Sequence, residues 1–356
     1  MSFFTSQCEV VLKTSFKIGE LVVSPPVLSA PMAGYTNYAH REMLRRLGGV
    51  GLISTEMASA RAFVCMGRRD GEEPARLWGV REEPRPLLVQ IWDNSPETLA
   101  ELGGKLAHEF RVSVVDLNFG CPAPAIAKRS ESGSFLLRDP EKVGKIVERV
   151  VSACAPVPVT AKIRLGVTRD MINACDVAQA VEGAGGAALT VHGRTAKQMY
   201  SGVADWDEIA KVSDFLQSIP LIGNGDIRTA QEAIDRLENY PVSGVMIGRA
   251  GIDRPWIFRE IAQILRGETP DPEPTPREQR DLLLSHYDLV VERFGVELGV
   301  KQMRKVACHY SKGIRGARTF RDHIGRVKTG EEFLRVVAEE YCVDEPDEDC
   351  SNAPVV

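Results

Sequence analysis

The sequence of 356 residues lacks several patterns that assign proteins to common classes. It has no run of about 18 or more uncharged apolar residues, so we expect no transmembrane helix. Its first residues show no basic region followed by an apolar core and a cleavage site, so we expect no signal peptide. Its eight cysteines form no Cys-x-x-Cys pair, which argues against a disulfide framework and a structural zinc. We therefore expect a cytoplasmic protein without a metal or a membrane partner.

A dinucleotide-binding fingerprint is also missing. No G-x-G-x-x-G follows the first predicted strand, which argues against a Rossmann domain. The sequence does contain eight short, nearly continuous apolar runs, as a parallel sheet buried on both faces requires. These runs are VLSAPMAG from Val27, GLISTEM from Gly51, PLLVQIWD from Pro86, SVVDLNFGCP from Ser113, PVTAKIRLG from Pro158, AALTVHGRT from Ala187, PLIGNGDI from Pro220 and GVMIGRA from Gly244. The residues before them are predicted to form a small hairpin that closes the bottom of the sheet.

Helical patterns fill the gaps between these strands. They cover 96–110, 171–183 and 229–239, and the clearest one follows Pro140. There, apolar residues recur at the spacing of a helix with one buried face: Val143, Ile146, Val147, Val150 and Val151. Eight strand–helix units predict a (β/α)8 TIM barrel, an α/β fold, with a doubly wound open sheet as the alternative.

The strand signals stop after the barrel. The segment GETPDPEPTP at 267–276 is rich in proline and acid and is predicted to be a linker. The stretches LLLSHYDLVVERF and EEFLRVVAEEY indicate a small all-α domain of three or four amphipathic helices. We therefore predict a barrel domain at 1–266, a helical domain at 277–342 and an acidic, disordered tail at 343–356.

Active sites of TIM barrels lie at the carboxyl ends of the strands. The predicted strands end in the following residues: Pro31, Met32, Ala33, Gln90, Asn118, Cys121, Lys162, Arg164, His192, Arg194, Asn224, Gly225, Asp226, Gly248 and Arg249. Polar residues at so many strand ends predict one substantial ligand in the mouth of the barrel.

The last two strands indicate what that ligand carries. Gly225 and Gly248 allow backbone N–H groups to approach an anion such as a phosphate, and Arg249 adds a charge-assisted bond. The alternative is that both glycines only form tight turns.

Polar side chains near three other strand ends each have a structural and a functional interpretation. Lys162 lies in an apolar strand and needs an anionic or carbonyl partner, which is either an internal carboxylate, Glu56 or Asp116, or the edge of a flavin ring. Gln90 either caps its strand or bonds the same ring, and His192 is structural, binds phosphate or flanks the substrate.

Cys121 follows a strand between Gly120 and Pro122. A cysteine on such a turn is an acid, a nucleophile, a ligand or a packing residue. The charge pattern adds a second feature, because 301–328 holds nine basic residues and one acid, a net charge of +8. The acids of 331–349 hide this charge in the overall −5. The basic run is either a nucleic-acid contact or a solvated helix face.

Several motifs together resemble the tRNA-dihydrouridine synthases, particularly the bacterial B type. They are PMAGYTN, LLVQIWDN, DLNFGCPAPAIAKRSESGSFLL, TAKIRLG, TVHGRTAKQMYSG, IGNGDI and GVMIGRAGIDRPWIF. The resemblance implies an FMN-binding barrel followed by a helical tRNA-binding domain. It also implies reduction of a uridine in tRNA to 5,6-dihydrouridine, with NADPH as the reductant, and we expect a monomer.

The resemblance also implies roles for individual residues. It makes Cys121 the proton donor to uracil C5 and Asn118 a uracil contact. Arg194 and four residues of the basic run are candidate substrate contacts, and these four are Arg304, Lys305, Arg315 and Arg318. The implied FMN contacts are Pro31, Met32, Ala33, Gln90, Lys162, His192, Asn224, Gly225, Asp226, Gly248 and Arg249.

The sequence departs from the usual family residues at a few places. Tyr35 and Asn37 follow the Met-Ala-Gly motif, Trp92-Asp93 follows Gln90, and Glu131 and Ser132 lie in the loop after Cys121. Two other functions share parts of the pattern. One is a small-molecule flavin barrel of the dihydropyrimidine or dihydroorotate dehydrogenase type, and the other is a flavoprotein that binds tRNA without reducing it.

The anion-suited loops at 224–226 and 248–249 predict a flavin with a single phosphate. The purified protein should therefore be yellow, and denaturation should release FMN, as chromatography of the supernatant will show. Lys162→Ala should weaken flavin binding or slow flavin reduction, because the reduced ring loses a cation. Release of FAD, or failure to take up any flavin, would contradict this prediction.

Overall fold

The computed structural model describes residues 13–67 and 75–341. Its strands are β1 Phe16–Ile18, β2 Leu21–Val23, β3 Val27–Ser29, β4 Ile53–Ser54, β5 Ala58–Ser59, β6 Leu87–Trp92, β7 Val114–Asn118, β8 Val159–Arg164, β9 Gly166–Thr168, β10 Met171–Ile172, β11 Ala188–His192, β12 Leu221–Asn224 and β13 Gly244–Ile247. Its α-helices are α1 Tyr38–Leu47, α2 Ala60–Gly67, α3 Pro96–His108, α4 Pro124–Ala127, α5 Pro140–Cys154, α6 Ala174–Gly183, α7 Trp206–Val212, α8 Ala230–Asn239, α9 Arg249–Asp253, α10 Ile257–Leu265, α11 Pro276–Phe294, α12 Val296–Tyr310, α13 Ala317–Ile324 and α14 Gly330–Glu340.

The predicted TIM barrel is confirmed. The parallel sheet runs in the order β3-β13-β12-β11-β8-β7-β6-β4, and β5 continues the line of β4 along β6. The barrel closes between β3 and the chain before β4, where Gly51 N donates to Val27 O at 2.9 Å and Ser29 N donates to Leu52 O at 3.1 Å. Helices between successive strands cover the outer face, so both faces of the sheet are buried and the strands read as apolar runs.

The bottom of the barrel is closed by the β1–β2 hairpin. Its two strands pair antiparallel, and Ile18 and Val23 pack with Leu88 and Met246 inside the barrel. The predicted hairpin is therefore present within 16–23, while residues 1–12 lie outside the described part of the chain. The carboxyl ends of the strands consequently form the open mouth.

One short element differs from the prediction. The helical pattern was expected from 171, but Met171–Ile172 forms β10, which pairs with β9, and α6 begins only at Ala174. Both residues of β10 are exposed, so this hairpin is held by backbone bonds to β9 rather than by burial of its side chains. The helix-like apolar spacing at 171–172 therefore did not indicate a helix.

The helices α11 to α14 follow the barrel and share a second hydrophobic core. Tyr287 and Phe333 stack in it with ring centroids 4.6 Å apart, and Ala39 and Met43 from α1 also contribute. The predicted C-terminal helical region is thus present. The domain limits at 266, 277 and 342 stay predictions, and the predicted tail at 343–356 lies outside the described residues. Within residues 13–67 and 75–341, no helix is long and apolar enough to cross a membrane.

A buried ion pair ties α1 to the chain before β6. The side chains of Arg41 and Glu83 are 1% and 0% exposed. The Arg41 guanidinium donates to both carboxylate oxygens, through Nε at 2.8 Å to one of them, and Arg45 Nη2 adds a bond of 2.6 Å. A buried charge of this kind is tolerated only while its partners are present.

Glu83→Gln should destabilise the protein by about 3–5 kcal/mol, because two arginines lose their shared carboxylate inside the protein. The measurement is urea unfolding followed by tryptophan fluorescence. Glu141→Gln is the matched control, since Glu141 pairs with Lys145 at the exposed surface of α5, and it should leave the unfolding midpoint unchanged. Equal midpoints for the two variants would contradict the structural role of Glu83.

Candidate active site

The carboxyl ends of the barrel strands bring the predicted barrel residues to one mouth. The following residues are paired between neighbouring strands: Gln90 with Asp116, Asn118 with Lys162, Arg164 with His192, and His192 with Asn224. Loops after the strands carry Pro31, Met32, Ala33, Cys121, Arg194, Gly225, Asp226 and Gly248, and Arg249 begins α9. Their roles stay predictions, but their placement around one opening follows from the barrel.

A continuous chain of hydrogen bonds crosses this mouth. It starts at Asp116, which is 1% exposed and accepts from Thr160 Oγ1 at 2.7 Å and from Gln90 Nε2 at 2.7 Å. Gln90 Oε1 then accepts from Asn118 Nδ2 at 2.7 Å. Burial raises the pKa of Asp116 despite these two donors. These hydrogen bonds fix the orientation of the two side-chain amides, Gln90 and Asn118.

Asn118 uses its side-chain oxygen to shape the loop that carries Cys121. Its Oδ1 accepts from Cys121 N at 2.9 Å and from Gly120 N at 3.2 Å. The other side of the loop is held by Ser134 N, which donates to Cys121 O at 3.1 Å. The cysteine therefore sits on a turn fixed from two directions.

The thiol of Cys121 is partly exposed at the mouth. Burial raises its pKa above the ordinary thiol value, and a backbone hydrogen bond at Ala123 and the nearby Arg164 oppose this only in part. The thiol is therefore protonated at neutral pH. In this state it can donate a proton but is a poor nucleophile and a poor metal ligand.

Lys162 lies on the neighbouring strand β8, in register with Asn118, and donates from Nζ to Asn224 Oδ1 at 2.9 Å. Asn224 is held in turn by its Nδ2, which donates to Met246 O at 2.7 Å. Burial, with Arg164 nearby, lowers the pKa of Lys162 to about 8, while Asp116 acts in the opposite direction. Of the two carboxylates considered as partners, Asp116 contributes to the field at Lys162, whereas Glu56 accepts from Gly34 N.

The electrostatic balance of the mouth is positive. Burial lowers the pKa of His192 well below its usual value, and four surrounding cations act in the same direction: Lys162, Arg164, Arg194 and Arg249. His192 is therefore neutral at physiological pH. Asp226 neutralises part of this charge, since it accepts from Arg194 Nη2 at 2.6 Å and from Arg249 Nη2 at 2.9 Å. The remaining positive charge suits an anionic ligand.

The turn after β12 approaches its neighbours closely. Gly225 has φ 134°, and a Cβ at this position would lie 2.6 Å from Ala204 Cβ. Trp206 Nε1 donates to Gly225 O at 3.0 Å and so anchors the turn from the other side. A glycine is therefore required here by the tight turn, and Gly225 itself is buried.

Arg194, a predicted substrate contact, is enclosed by protein. Its side chain is 2% exposed, and besides Asp226 it donates to Ser201 O at 3.2 Å and Gly202 O at 2.7 Å. These bonds fix the loop after β11. Any contact between Arg194 and RNA requires these bonds to rearrange, whereas Arg249, at 46% exposure, is accessible.

Arg164 was placed at a strand end by the sequence but was given no role there. Its guanidinium donates to Gly120 O at 3.0 Å, Thr195 O at 2.9 Å and Met199 O at 2.8 Å. It thus joins the loops after β7 and β11 and lies behind Cys121. Burial lowers its pKa to about 10. The signal in the sequence was its position two residues after Lys162, which puts both cations on the same face of β8.

The predicted RNA-binding residues lie on α12 and beyond it. Lys305 reaches the barrel mouth, with Nζ 4.6 Å from the centre of the Tyr35 ring. Arg304 is partly exposed and donates to Val327 O at 3.3 Å, while Arg315 and Arg318 are exposed. Part of the basic run is neutralised, since the following ion pairs form: Lys301 with Glu297, Lys312 with Asp253, and Arg326 with Asp322. The net positive charge of the run is therefore weaker at the surface than the sequence count suggests.

The family model described as "Dihydrouridine synthase (Dus)" matches residues 28–344. The "Probable tRNA-dihydrouridine synthase" of Rickettsia prowazekii (strain Madrid E) is 34% identical over 325 residues, covering 91% of this chain and 97% of that protein. The "tRNA-dihydrouridine synthase B" of Pseudomonas aeruginosa is 38% identical over 314 residues, covering 88% of this chain and 91% of that one.

Two solved structures resemble the fold. The old yellow enzyme from Trypanosoma cruzi has a TM-score of 0.53 at 12% identity and covers 75% of this chain and 95% of its own. Morphinone reductase in complex with tetrahydroNAD has a TM-score of 0.51 at 14% identity, and the match covers 75% of this chain and 93% of that one. At such low identity these two matches concern the barrel fold alone. The family match extends over the barrel and the helices that follow it, and the chain therefore belongs to the dihydrouridine synthase family.

Proposed function

We propose that this protein reduces the C5=C6 bond of uridines in tRNA to give 5,6-dihydrouridine, with FMN as its cofactor, NADPH as reductant and the cytoplasm as its compartment. The observation that carries the proposal is the thiol of Cys121, which burial keeps protonated on a turn fixed by Asn118 at the mouth of the barrel. A protonated thiol at the opening of a cationic barrel fits the protonation of a carbon that becomes negatively charged.

The residues of the mouth fit an FMN group. The cations near His192 exceed the carboxylates that neutralise them, and the turn at Gly225 would bring its backbone close to an anion bound beside it. Lys162 and Gln90 lie deeper and offer an ammonium and an amide to a ring. We propose that the loops after β12 and β13 hold the phosphate, with Asn224, Gly225, Asp226, Gly248 and Arg249. The ring would lie against Gln90, Lys162, His192 and the loop that contains Pro31, Met32 and Ala33.

The chemistry follows from conjugation in uracil. When bound and reduced, the flavin supplies a hydride to C6, the position conjugated to the C4 carbonyl. Negative charge then develops at C5 and O4, and Cys121 donates its proton to C5. Each reduction would consume one hydride and one proton, so the uracil ring would gain two hydrogens, and NADPH would supply the two electrons.

Asn118 and Arg164 support Cys121 in this scheme. Asn118 Oδ1 accepts from the backbone of the Cys121 turn, and its Nδ2 donates to Gln90. The Asn118 amide therefore orients Cys121, the proposed acid, in addition to its proposed contact with the uracil. Arg164 lies near the thiol, and its positive charge stabilises the thiolate that remains after proton transfer. Returning a proton to Cys121 from solvent completes the cycle.

The helical region favours tRNA over a small pyrimidine as the substrate. Helix α12 touches the mouth, which brings Lys305 to the rim and leaves Arg315 and Arg318 exposed farther along. A uracil within tRNA must leave its stack to reach the barrel, and the phosphates around it then need cations. A small-molecule dehydrogenase needs no such surface.

Cys121→Ala should retain flavin and its reduction by NADPH, because the thiol acts only on uracil. Dihydrouridine formation should fall by roughly 10²–10⁴, the usual contribution of a positioned general acid. The measurement is mass spectrometry of digested tRNA after single turnovers with prereduced enzyme. Cys175→Ala is the control, since Cys175 lies outside the mouth on α6. Near-normal turnover by Cys121→Ala would assign the proton to another donor.

Replacing Arg304, Lys305, Arg315 and Arg318 with alanine should weaken tRNA binding and flatten its salt dependence. The slope of log affinity against log salt should fall by about 0.9 for each lost phosphate contact in duplex regions. The control removes four cations far from the mouth: Lys17, Lys145, Arg149 and Lys211. The measurement is tRNA binding over a salt series. If the two fourfold variants have the same slope, the basic run is a solvated face.

A further inference from the structure

Helix α12 meets the mouth through a cluster of side chains that the reaction above does not use. His309 connects two barrel segments, with Nδ1 2.5 Å from Asp253 Oδ1 at the end of α9 and Nε2 3.2 Å from the hydroxyl of Tyr35 in the loop after β3. The rings of Tyr35 and His309 meet edge to face, with centroids 4.9 Å apart. Lys312 also pairs with Asp253, at 2.7 Å.

The protons of this cluster can be assigned from donor and acceptor chemistry. Burial opposes ionisation of Asp253, but hydrogen bonds from His309 and Lys312 hold its pKa below the usual value, so it is a carboxylate that only accepts. His309 Nδ1 therefore carries a hydrogen toward Asp253, and we assign Nε2 as the acceptor of the Tyr35 hydroxyl proton. Burial and the nearby carboxylate of Asp253 raise the pKa of Tyr35, so its hydroxyl keeps the proton that it donates.

This assignment leaves the Tyr35 oxygen as a directed acceptor. Its proton points to His309, and its lone pairs stay available to a donor from the mouth. The ammonium of Lys305 lies on the face of the same ring, 4.6 Å from its centre, and a Cβ on Gly34 would lie 2.6 Å from Nζ. A hydrogen-bond acceptor and a cation therefore share one small area of the rim.

We propose that the Tyr35 hydroxyl accepts a hydrogen bond from a ribose 2′-hydroxyl of tRNA at the barrel mouth, next to a phosphate bound by Lys305. The proposal rests on the proposed function and adds to it a contact that distinguishes RNA from DNA. A 2′-hydroxyl is the donor that a ribonucleotide carries close to its own 3′-phosphate, which matches the pairing of acceptor and cation. The uracil itself is excluded as the donor, because its base must enter the barrel.

The same geometry explains why Tyr35 is held so firmly. Asn37, two residues later, donates from Nδ2 to Gln302 Oε1 on α12 at 2.7 Å, so the loop after β3 is tied to the helix at both places. Tyr35 and Asn37 are also two of the positions where the sequence departs from the usual family residues. We therefore assign Tyr35 as a substrate-binding residue and His309 and Asp253 as the positioning residues that orient its hydroxyl.

The test pairs a protein change with a matching change in the RNA. Once the modified uridine is mapped, tRNAs are prepared with one 2′-deoxynucleotide at that uridine or at either neighbour. Initial rates of dihydrouridine formation give kcat/KM for the wild type, Tyr35→Phe and Tyr38→Phe. Tyr38→Phe makes the same chemical change three residues away, where Arg293 Cζ lies 5.3 Å from the centre of the Tyr38 ring.

At one of the three positions, the deoxy substitution should lower kcat/KM of the wild type and of Tyr38→Phe by about 3- to 10-fold, the effect of one hydrogen bond. The loss should appear in KM, and it should be less than about twofold in Tyr35→Phe, whose ring no longer has the hydroxyl. His309→Phe keeps a packed ring without an acceptor and should also reduce the deoxy effect.

Two results would overturn this inference. One is a wild type that tolerates all three deoxy substitutions, and the other is an equal loss in wild type and Tyr35→Phe at every position. Failure of the wild type to form dihydrouridine in unmodified tRNA is a different outcome, because it contradicts the proposed function itself. A mere structural role of Tyr35 predicts losses that do not depend on the 2′-hydroxyl.

Discussion

The arrangement of the mouth depends on one buried carboxylate, Asp116. Because it lies in the barrel wall away from water, Asp116 must accept hydrogen bonds, and Thr160 and Gln90 supply them. This fixes the amide of Gln90 with its nitrogen inward, so its oxygen must face a donor, which is the nitrogen of Asn118. The oxygen of Asn118 is then directed to the backbone of Gly120 and Cys121. The position of the thiol thus follows from a carboxylate on its own strand, β7, through Gln90 on the neighbouring strand β6.

The opposite side of the mouth is organised by a surplus of positive charge. Arg194 and Arg249 share Asp226, which leaves Lys162 and Arg164 without a carboxylate of their own in the bonds described above. Burying cations in this way costs free energy, which an anionic ligand can return when it binds. The same field keeps His192 neutral, and its ring can then accept as well as donate. The acid and the proposed anion site therefore belong to two hydrogen-bond networks that Arg164 connects, since it donates to Gly120 O beside Cys121 and to the loop after β11.

The barrel was predictable because its strands are buried on both faces. Nearly continuous apolar runs such as 87–92 and 114–118 identify strands of a buried parallel sheet and their order along the chain. The residues of the mouth then follow from the rule that active sites of such barrels lie at the strand ends. Periodicity failed at Met171–Ile172, where two exposed apolar residues pair with a neighbouring strand instead of joining α6. A pattern of hydrophobicity indicates burial only where the surrounding chain actually covers the side chains.

The partners within the site were less accessible to sequence reasoning. Lys162 was expected to need an anion or a carbonyl, yet its partner, Asn224, lies 62 residues away on a strand two places along the sheet. Arg164 binds three backbone carbonyls, which carry no residue-specific signal in the sequence. The charge count of 301–328 likewise left out two acids that pair with its lysines from outside the run, Glu297 and Asp253, and Asp253 belongs to the barrel.

Asp253 also shows how the barrel and the helices after it are joined. It ends the five-residue helix α9, which begins at Arg249 beside the proposed phosphate site, and it binds His309 of α12 and Lys312, two residues after that helix. A shift of α12 relative to the barrel would therefore have to carry Asp253 with it or break these bonds. Tyr35 gives α12 a second connection, to the loop after β3. Two of the segments proposed to hold the cofactor, the loop after β3 and the helix α9 that begins at Arg249, are consequently ones that α12 is bonded to.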